Sequence, residues 1–160
     1  MALLTVNGIT FEYPDPGTDQ GWGAGATDWA SEVTSVLSTL LGPNDILETS
    51  FNINNNQTSS QQITKLFFDS GSVRAANIQY SVYRRSDENP SGNIETGMIY
   101  ITYDNSAVSG SKWIMGSSKV GESGIIFTID NNGQFSYTST DIGSTNYTGI
   151  IKFSAKALSQ

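Results

Sequence analysis

The second half of the chain alternates apolar with polar residues, and this pattern limits the possible folds more than any other feature. Around residue 80, Ile78, Tyr80 and Val82 alternate with Asn77, Gln79 and Ser81. Successive side chains of a strand point to opposite faces of a sheet, so this alternation predicts a strand with one buried face. Similar apolar positions recur in residues 98–103, 125–129, 135–137 and 151–157. Strands repeated at short intervals predict antiparallel β structure.

The segments between these predicted strands are rich in turn-forming residues. They are residues 87–93, 104–106, 130–133 and 141–146, in which Asp, Asn, Gly and Ser predominate. Asp and Asn side chains bond to nearby backbone N–H groups, and Gly and Asn tolerate positive φ, so such runs favour tight connections. We therefore predict a mainly β fold, in which residues 71–160 form an antiparallel β-sandwich or jelly-roll-like domain.

Residues 1–70 differ in character and are predicted to form a base or attachment region. Residues 3–13 indicate an N-terminal hairpin around Asn7-Gly8, and residues 46–53 and 61–68 indicate two strands. One amphipathic helix is predicted to start with Thr27 or Asp28 as its cap and to stop at Gly42-Pro43. Its apolar face comprises Trp29, Val33, Val36, Leu37, Leu40 and Leu41.

A loop bent by proline and glycine is predicted between the hairpin and this helix. It includes Tyr13 and Trp22 and runs into Trp29. The run Gly21-Trp22-Gly23-Ala24-Gly25 lacks the Lys-Ser/Thr pair of a phosphate-binding loop, and no parallel βαβ unit follows it. We therefore expect Tyr13, Trp22 and Trp29 to anchor a base that docks on a partner or builds an oligomer.

Composition removes most routes to catalysis. The 160 residues include no Cys and no His, which excludes thiolate catalysis, Ser-His-Asp triads and Cys- or His-based metal sites. The net charge of −7, with eight basic residues against fifteen acidic ones, argues against a nucleic-acid partner. Most acidic residues lie in predicted turns, so we expect no enzyme. We likewise expect no cofactor and no metal, since a hairpin turn needs the same Asp130, Asn131 and Asn132 that a calcium ion would use.

The chain shows neither a signal peptide nor an apolar run long enough to span a bilayer, so we expect a soluble protein made in the cytoplasm. Exposed aromatic rings can stack on sugars, and Tyr103, Trp113 and Tyr147 are the candidates for a glycan platform. The competing interpretation is that these aromatic residues belong to the core.

Two patches of sequence resemble small virion-surface proteins of tailed bacteriophages, such as head-fibre, decoration or short tail-appendage proteins. One patch is residues 4–14, LTVNGITFEYP, with Gly21-Trp22-Gly23 and residues 26–30 and 33–37 after it. The other consists of residues 75–84, 95–100, 124–127, 137–140 and 149–158, together with Trp113.

This resemblance implies a non-enzymatic structural protein on the virion surface. It would decorate the capsid or form a short fibre, made in the host cytoplasm, with capsid or tail proteins as partners. The resemblance also implies a homo-oligomer, with a trimer favoured. The alternative is a carbohydrate-binding module of a tail fibre that recognises a host surface glycan.

Overall fold

The computed structural model describes residues 2–6, 9–13, 22–40, 42–106 and 110–160. It divides the chain into two compact units, Met1–Pro43 and Asn44–Gln160. Among these described residues, the first unit holds one hairpin and one helix, and the second holds eight strands.

The N-terminal unit contains β1 (Ala2–Val6), β2 (Ile9–Tyr13) and α1 (Trp22–Leu40). The strands β1 and β2 pair antiparallel, from Ala2 opposite Tyr13 to Val6 opposite Ile9, which confirms the predicted hairpin. Its predicted turn, Asn7-Gly8, lies outside the described residues. No helix in the described ranges combines the length and the apolar character that crossing a membrane requires.

The helix begins at Trp22, earlier than the predicted caps Thr27 and Asp28. The sequence-based boundary was therefore wrong, because Gly23 and Gly25 lie within the helix rather than in a loop. Glycine lowers helix propensity by about 1 kcal/mol without blocking the backbone hydrogen bonds, whereas proline does block them. Residues 14–21 of the predicted loop, and Leu41 of the predicted helix face, lie outside the described residues.

The C-terminal unit is an antiparallel sandwich of two sheets, which confirms the predicted fold class. Its strands are β3 (Ile46–Asn52), β4 (Gln61–Phe67), β5 (Val73–Arg85), β6 (Asn93–Asp104), β7 (Lys112–Gly121), β8 (Ile125–Ile129), β9 (Gln134–Ser139) and β10 (Thr148–Ser159). A five-stranded sheet has the order β3-β10-β5-β6-β7, and a three-stranded sheet has the order β4-β9-β8.

The core of the sandwich consists of the inward-facing residues that the alternation predicts. In β5, Ile78, Tyr80 and Val82 are buried, whereas the residues between them are exposed. The other large contributors to the same core are Ile63, Leu66, Phe68, Ile99, Ile101, Phe127, Phe135, Tyr137, Ile151 and Phe153. Burying one such side chain contributes about 1.5–3 kcal/mol, so this layer holds the two sheets together.

Residues 44–70 lie in the sandwich and not in the N-terminal base to which the sequence assigned them. Strand β3 pairs with β10, with Phe51 opposite Ile151, and β4 pairs with β9. Apolar side chains of this segment, including Ile53 and Phe68, are buried in the common core. The boundary lies after Pro43 because β3 and β4 complete the two sheets.

Candidate functional site

Helix α1 leaves much of its apolar face exposed. Val33 and Val36 are half-buried, and Leu37 is 49% exposed. A helix of a globular protein normally buries such a stripe against a core. Nearly half of the Leu37 side chain instead remains available to another surface.

Of the three aromatic residues predicted to anchor the base, Trp29 is the one whose side chain is described, and it is half-buried in α1. Tyr13 ends β2 and Trp22 begins α1, so the backbone places both next to the predicted loop. Their side chains lie outside the described residues. The docking role of the three residues remains a prediction.

A cleft of about 300 Å³ lies at one side of the sandwich, where β7 and β8 are the neighbouring edges of the two sheets. Its walls are mainly apolar and include Ile99, Met115 and Phe127. Its polar groups are Tyr80, Glu95, Ser117 and Lys119. Apolar walls with a few polar groups are typical of a small-molecule binding site.

The carboxylate of Glu95 is buried at this cleft and is fully hydrogen-bonded. Tyr80 donates its hydroxyl to Oε1 at 2.7 Å, and Lys119 Nζ lies 3.0 Å from Oε2. Ser123 donates to the same Oε2 with its backbone N–H at 3.0 Å and its hydroxyl at 2.9 Å. Burial acts to raise the pKa of Glu95, but these hydrogen bonds outweigh it and leave the pKa lowered.

The same contacts shift the pKa values of the groups around Glu95. Burial and the hydrogen bond to Glu95 raise the pKa of the Tyr80 hydroxyl. Hydrogen bonds to Glu95 and Glu122 raise the pKa of the Lys119 ammonium group. The cluster is therefore a charged pair at neutral pH, with a neutral tyrosine donating to it.

This arrangement differs from the carboxylate pair of a glycosidase. Glu122 shares Lys119 with Glu95 and is exposed. A glycosidase acid must hold its proton near neutral pH, which requires a raised pKa. Glu95 has a lowered pKa, and its oxygens are already occupied by donors. We interpret the cluster as a structural ion pair.

A second buried charge, Arg84, lies at the opposite end of β5 from Val73 and uses all five of its N–H donors. Its acceptors are the Tyr147 hydroxyl at 3.0 Å, the Ser123 carbonyl at 2.7 Å, Thr140 through its carbonyl at 2.6 Å and its hydroxyl at 3.3 Å, and Asn55 Oδ1 at 2.9 Å. Within the described residues no carboxylate lies within ion-pair distance of this guanidinium. Arg84 therefore joins three connections of the sandwich, those after β3, β7 and β9.

Asn55 links the buried Arg84 guanidinium to the exposed carboxylate of Asp141. The Asn55 amide donates to Asp141 Oδ1 at 2.6 Å and to the Gly143 carbonyl at 2.8 Å. Hydrogen bonds from the Gly143 N–H and from Asn55 lower the pKa of Asp141, and the positive charge of Arg84 lowers it further. The exposed Asp141 carboxylate is therefore positioned by Asn55, which is itself held by the buried Arg84.

The structure does not bring the three predicted glycan-platform residues together. Tyr103 and Trp113 are paired at one end of the five-stranded sheet, whereas Tyr147 precedes β10 at the other end, beside Arg85. Thr102 lies opposite Ala75 and Thr148 opposite Arg85, so ten residues of β5, roughly 30 Å, separate the two ends.

Two of these aromatic residues instead pack against other side chains of the sandwich. Trp113 is 7% exposed and packs between Phe68 and Tyr103, with ring centroids 6.4 and 5.2 Å away. Tyr147 lies against the Arg84 guanidinium, 5.7 Å from its ring centroid. A sugar needs an exposed ring face. The prediction of Trp113 as a platform was wrong, and the core interpretation applies to it.

No group of three or more acidic side chains within the described ranges is arranged to hold a metal ion. At Asp130, for which the sequence favoured a hairpin turn over a calcium ligand, Oδ1 accepts the backbone N–H groups of Asn132 at 2.9 Å and Gln134 at 3.0 Å. The carboxylate thus closes the hairpin between β8 and β9, which is the interpretation that the sequence favoured.

Arg84 and Glu95 are not among the predicted site residues, although the alternation of the sequence contains a signal for each. Arg84 continues the inward series Ile78, Tyr80, Val82, and Glu95 shares the inward parity of Ile99 and Ile101. A charged residue at a core position predicts a buried hydrogen-bonded network. Its partners come from distant loops, which the sequence does not bring together.

No protein-family model matches this chain, and no curated protein matches it. Among solved structures, the chain is similar to the tailspike protein of Acinetobacter phage vB_ApiP_P1, with 12% identity and a TM-score of 0.42 over 69% of this chain and 22% of that one. It is also similar to the tailspike protein of Acinetobacter baumannii phage AM24, with 11% identity and a TM-score of 0.34 over 72% of this chain and 26% of that one. The chain thus spans about a quarter of the length of these tailspikes.

Proposed function

We propose that this chain is a non-enzymatic structural protein of a phage virion. It decorates the capsid or forms a short appendage at the virion surface. The proposal combines the resemblance of the sequence to virion-surface proteins with one structural observation, the exposed apolar face of α1. Residues 1–43 are the attachment unit in this proposal, and the sandwich is the part that projects.

The exposed face of α1 supports attachment because it has the character of an interface. Leu37 is 49% exposed beside the half-buried Val33 and Val36. Contiguous exposed apolar surface marks protein contacts more often than it marks catalytic sites. Residues 1–43 also carry five acidic residues and no basic one, so a capsid or tail partner would present an apolar surface with neutral or basic surroundings.

The buried polar groups of the sandwich support a role without catalysis. Glu95 and Arg84 are buried charged groups, and their hydrogen bonds go to other groups of the sandwich. Groups of this kind fix loops and sheets in place. A rigid sandwich with a polar surface suits a protein present in many copies on a particle.

The test is incorporation of the full-length chain into assembling particles. Leu37→Asp places a charge on the apolar face of α1 and should abolish incorporation, because a charge in an apolar interface is costly to desolvate. Ser31→Asp is the matched control, since Ser31 is exposed on a different side of the same helix and should leave incorporation unchanged. Normal incorporation of Leu37→Asp would refute attachment through this face.

The oligomer implied by the resemblance is part of this proposal. A trimer would have three times the chain mass of 17.2 kDa, and sedimentation analysis tests whether the mass of the intact protein is this value or a multiple of it. A three-fold ring closes through unlike surfaces of each copy, unlike a two-fold pair, which joins the same surface twice.

A further inference from the structure

Strand β7 is the edge of the five-stranded sheet, and its second hydrogen-bonding side is uncovered by the described residues. It pairs with β6 along its whole length, from Lys112 opposite Asp104 to Gly121 opposite Glu95. Trp113 is its one buried residue, and the other nine are exposed. The three-stranded sheet ends before it covers β7, so even inward-facing Met115 is 36% exposed.

This edge lacks most of the protection that natural sheets give their edges. The strand is ten residues long, contains no proline and pairs with β6 in an unbroken register. It exposes Ile114 by 47% and Val120 by 82% on the outer face of the sheet. Its inward-facing charge, Lys119, is already paired with Glu95 at 3.0 Å and with Glu122 at 3.1 Å. Such an edge is a template for another strand.

The sequence of β7 complements itself when it is read in opposite directions from Ser117. We propose that β7 pairs antiparallel with β7 of a second copy, about a two-fold axis at Ser117. Ile114 then lies opposite the partner's Val120, and Gly116 opposite the partner's Ser118. On the inner face, Met115 lies opposite the partner's Lys119. Because the axis is two-fold, each of these pairs forms twice.

Apolar pairing favours the same register. The axis at Ser117 brings Ile114 together with the partner's Val120. Moving the axis to Gly116 would place Lys112 opposite the partner's Val120. Moving it to Ser118 would place Ile114 beyond the end of the partner's strand, which is Gly121. The axis at Ser117 is therefore the one of these three that pairs the two most exposed apolar residues of β7 with each other.

The pairing would join two five-stranded sheets into one continuous sheet. All outward-facing residues of β7 meet outward-facing residues of the partner, so the faces of the two sheets continue across the axis. Backbone hydrogen bonds along β7 would supply the affinity, and the two Ile–Val pairs would fix the register. This contact goes beyond the proposed function and is independent of attachment through α1. If the copies also form the three-fold ring of the proposed function, the β7 contact joins two such rings into an assembly of six copies.

A disulfide tests the register directly, because the chain contains no other cysteine. Residues directly opposite each other in an antiparallel pair have Cα atoms about 4.5–5.5 Å apart, within the range of a disulfide. Ser117→Cys lies on the axis and should form a covalent dimer in most molecules under mild oxidation at low protein concentration.

Ser118→Cys is the matched control. Ser118 is equally exposed and adjacent, but it lies opposite the partner's Gly116, so the two copies of position 118 are roughly 8 Å apart. It should remain monomeric on a non-reducing gel. Absence of a link through Ser117→Cys, or equal linking of both variants, would overturn the proposal.

A second pair of variants tests the contact without cross-linking. Val120→Lys places a charge against the partner's Ile114 and should halve the sedimenting mass of the intact protein. Leu158→Lys, at a position of β10 that is 67% exposed, should leave the mass unchanged. An unchanged mass for Val120→Lys would also overturn the proposal. Particle incorporation through Leu37 is measured separately, so the two ideas can fail independently.

Discussion

Arg84 shows how one residue can fix several loops of this sandwich. Its guanidinium is inaccessible to solvent, and its five N–H groups reach acceptors on Asn55, Ser123, Thr140 and Tyr147. All five of these bonds go to connections between strands, four to Asn55, Ser123 and Thr140 and one to Tyr147 just before β10. Arginine suits the position because its planar fork directs its donors along fixed directions, which lysine does not do.

Arg84→Lys should destabilise the protein by roughly 2–4 kcal/mol. Lysine keeps the charge but offers three donors for five acceptor contacts, and each buried acceptor left without a partner costs about 1–3 kcal/mol. Arg85→Lys is the control, because Arg85 is the exposed neighbour on the outer face of β5 and should change stability by less than about 0.5 kcal/mol. Urea denaturation monitors both, and equal effects of the two substitutions would contradict the role of Arg84.

Glu95 should make the sandwich sensitive to acid. Its folded-state pKa is lowered from an ordinary value of 4.5, so its stabilising effect is fully present above about pH 4.5 and is lost as the pH falls through the folded-state pKa. Glu95→Gln should cost roughly 2–3 kcal/mol at pH 7, because an amide NH₂ would face the Ser123 or Lys119 donors. The difference between the wild type and the variant should shrink towards pH 2.

The free energy of unfolding, measured from pH 7 to pH 2, checks this expectation. Glu48→Gln serves as the control, since Glu48 is an exposed carboxylate 3.6 Å from Lys152, and exposed pairs contribute at most about 1 kcal/mol. A pH-independent difference for Glu95→Gln would mean that the carboxylate charge contributes nothing.

At the scale of elements, strand β4 contains a bulge that no pattern in the sequence indicates. Between the pairs Gln62–Ser136 and Phe67–Gln134, β4 advances by five residues while β9 advances by two. The extra residues include Lys65, whose φ is 70°. The Gln134 amide bridges this bulge by donating to the carbonyls of Ile63 at 3.0 Å and Leu66 at 3.3 Å.

Lys65→Gly should stabilise the protein by about 0.5–1 kcal/mol, because the left-handed conformation is unfavourable for a residue with a Cβ atom and not for glycine. The exposed Lys65 side chain offers little packing to lose. Lys65→Ala removes the same side chain but keeps the Cβ atom, so it should give no gain. Thermal unfolding of the two variants separates the backbone effect from the loss of a charge.

The elements also show where sequence reasoning succeeds. The alternation through Ile78, Tyr80 and Val82 predicts β5 correctly. Each side chain of a strand points to one of two faces of the sheet, and the apolar residues mark the buried face. The start of α1 was misplaced because Gly23 and Gly25 are weak signals that tertiary structure can override. The same limit explains Trp113. Its burial depends on contacts such as that with Phe68, just after β4, and no local pattern contains that contact.

At the scale of the whole molecule, charge is divided unevenly along the chain. Residues 1–43 carry five acidic residues, so with the total of fifteen acidic and eight basic residues the remainder holds ten acidic and eight basic ones. The sandwich unit is therefore close to neutral, and most of the net charge of −7 belongs to the proposed attachment unit. Attachment should weaken for an acidic partner surface and should depend on salt.

Residues 44–160 should fold without the rest of the chain. Every residue of the described core lies between Ile53 and Ala155, and every strand pair of both sheets forms within Asn44–Gln160. A unit of this size that keeps its whole core has the burial a stable domain needs. The fragment should therefore unfold cooperatively and show the near-UV circular dichroism of packed aromatic residues such as Tyr80 and Trp113. A non-cooperative transition with no near-UV signal would mean that the sandwich depends on residues 1–43, and attachment and folding would then be properties of one unit.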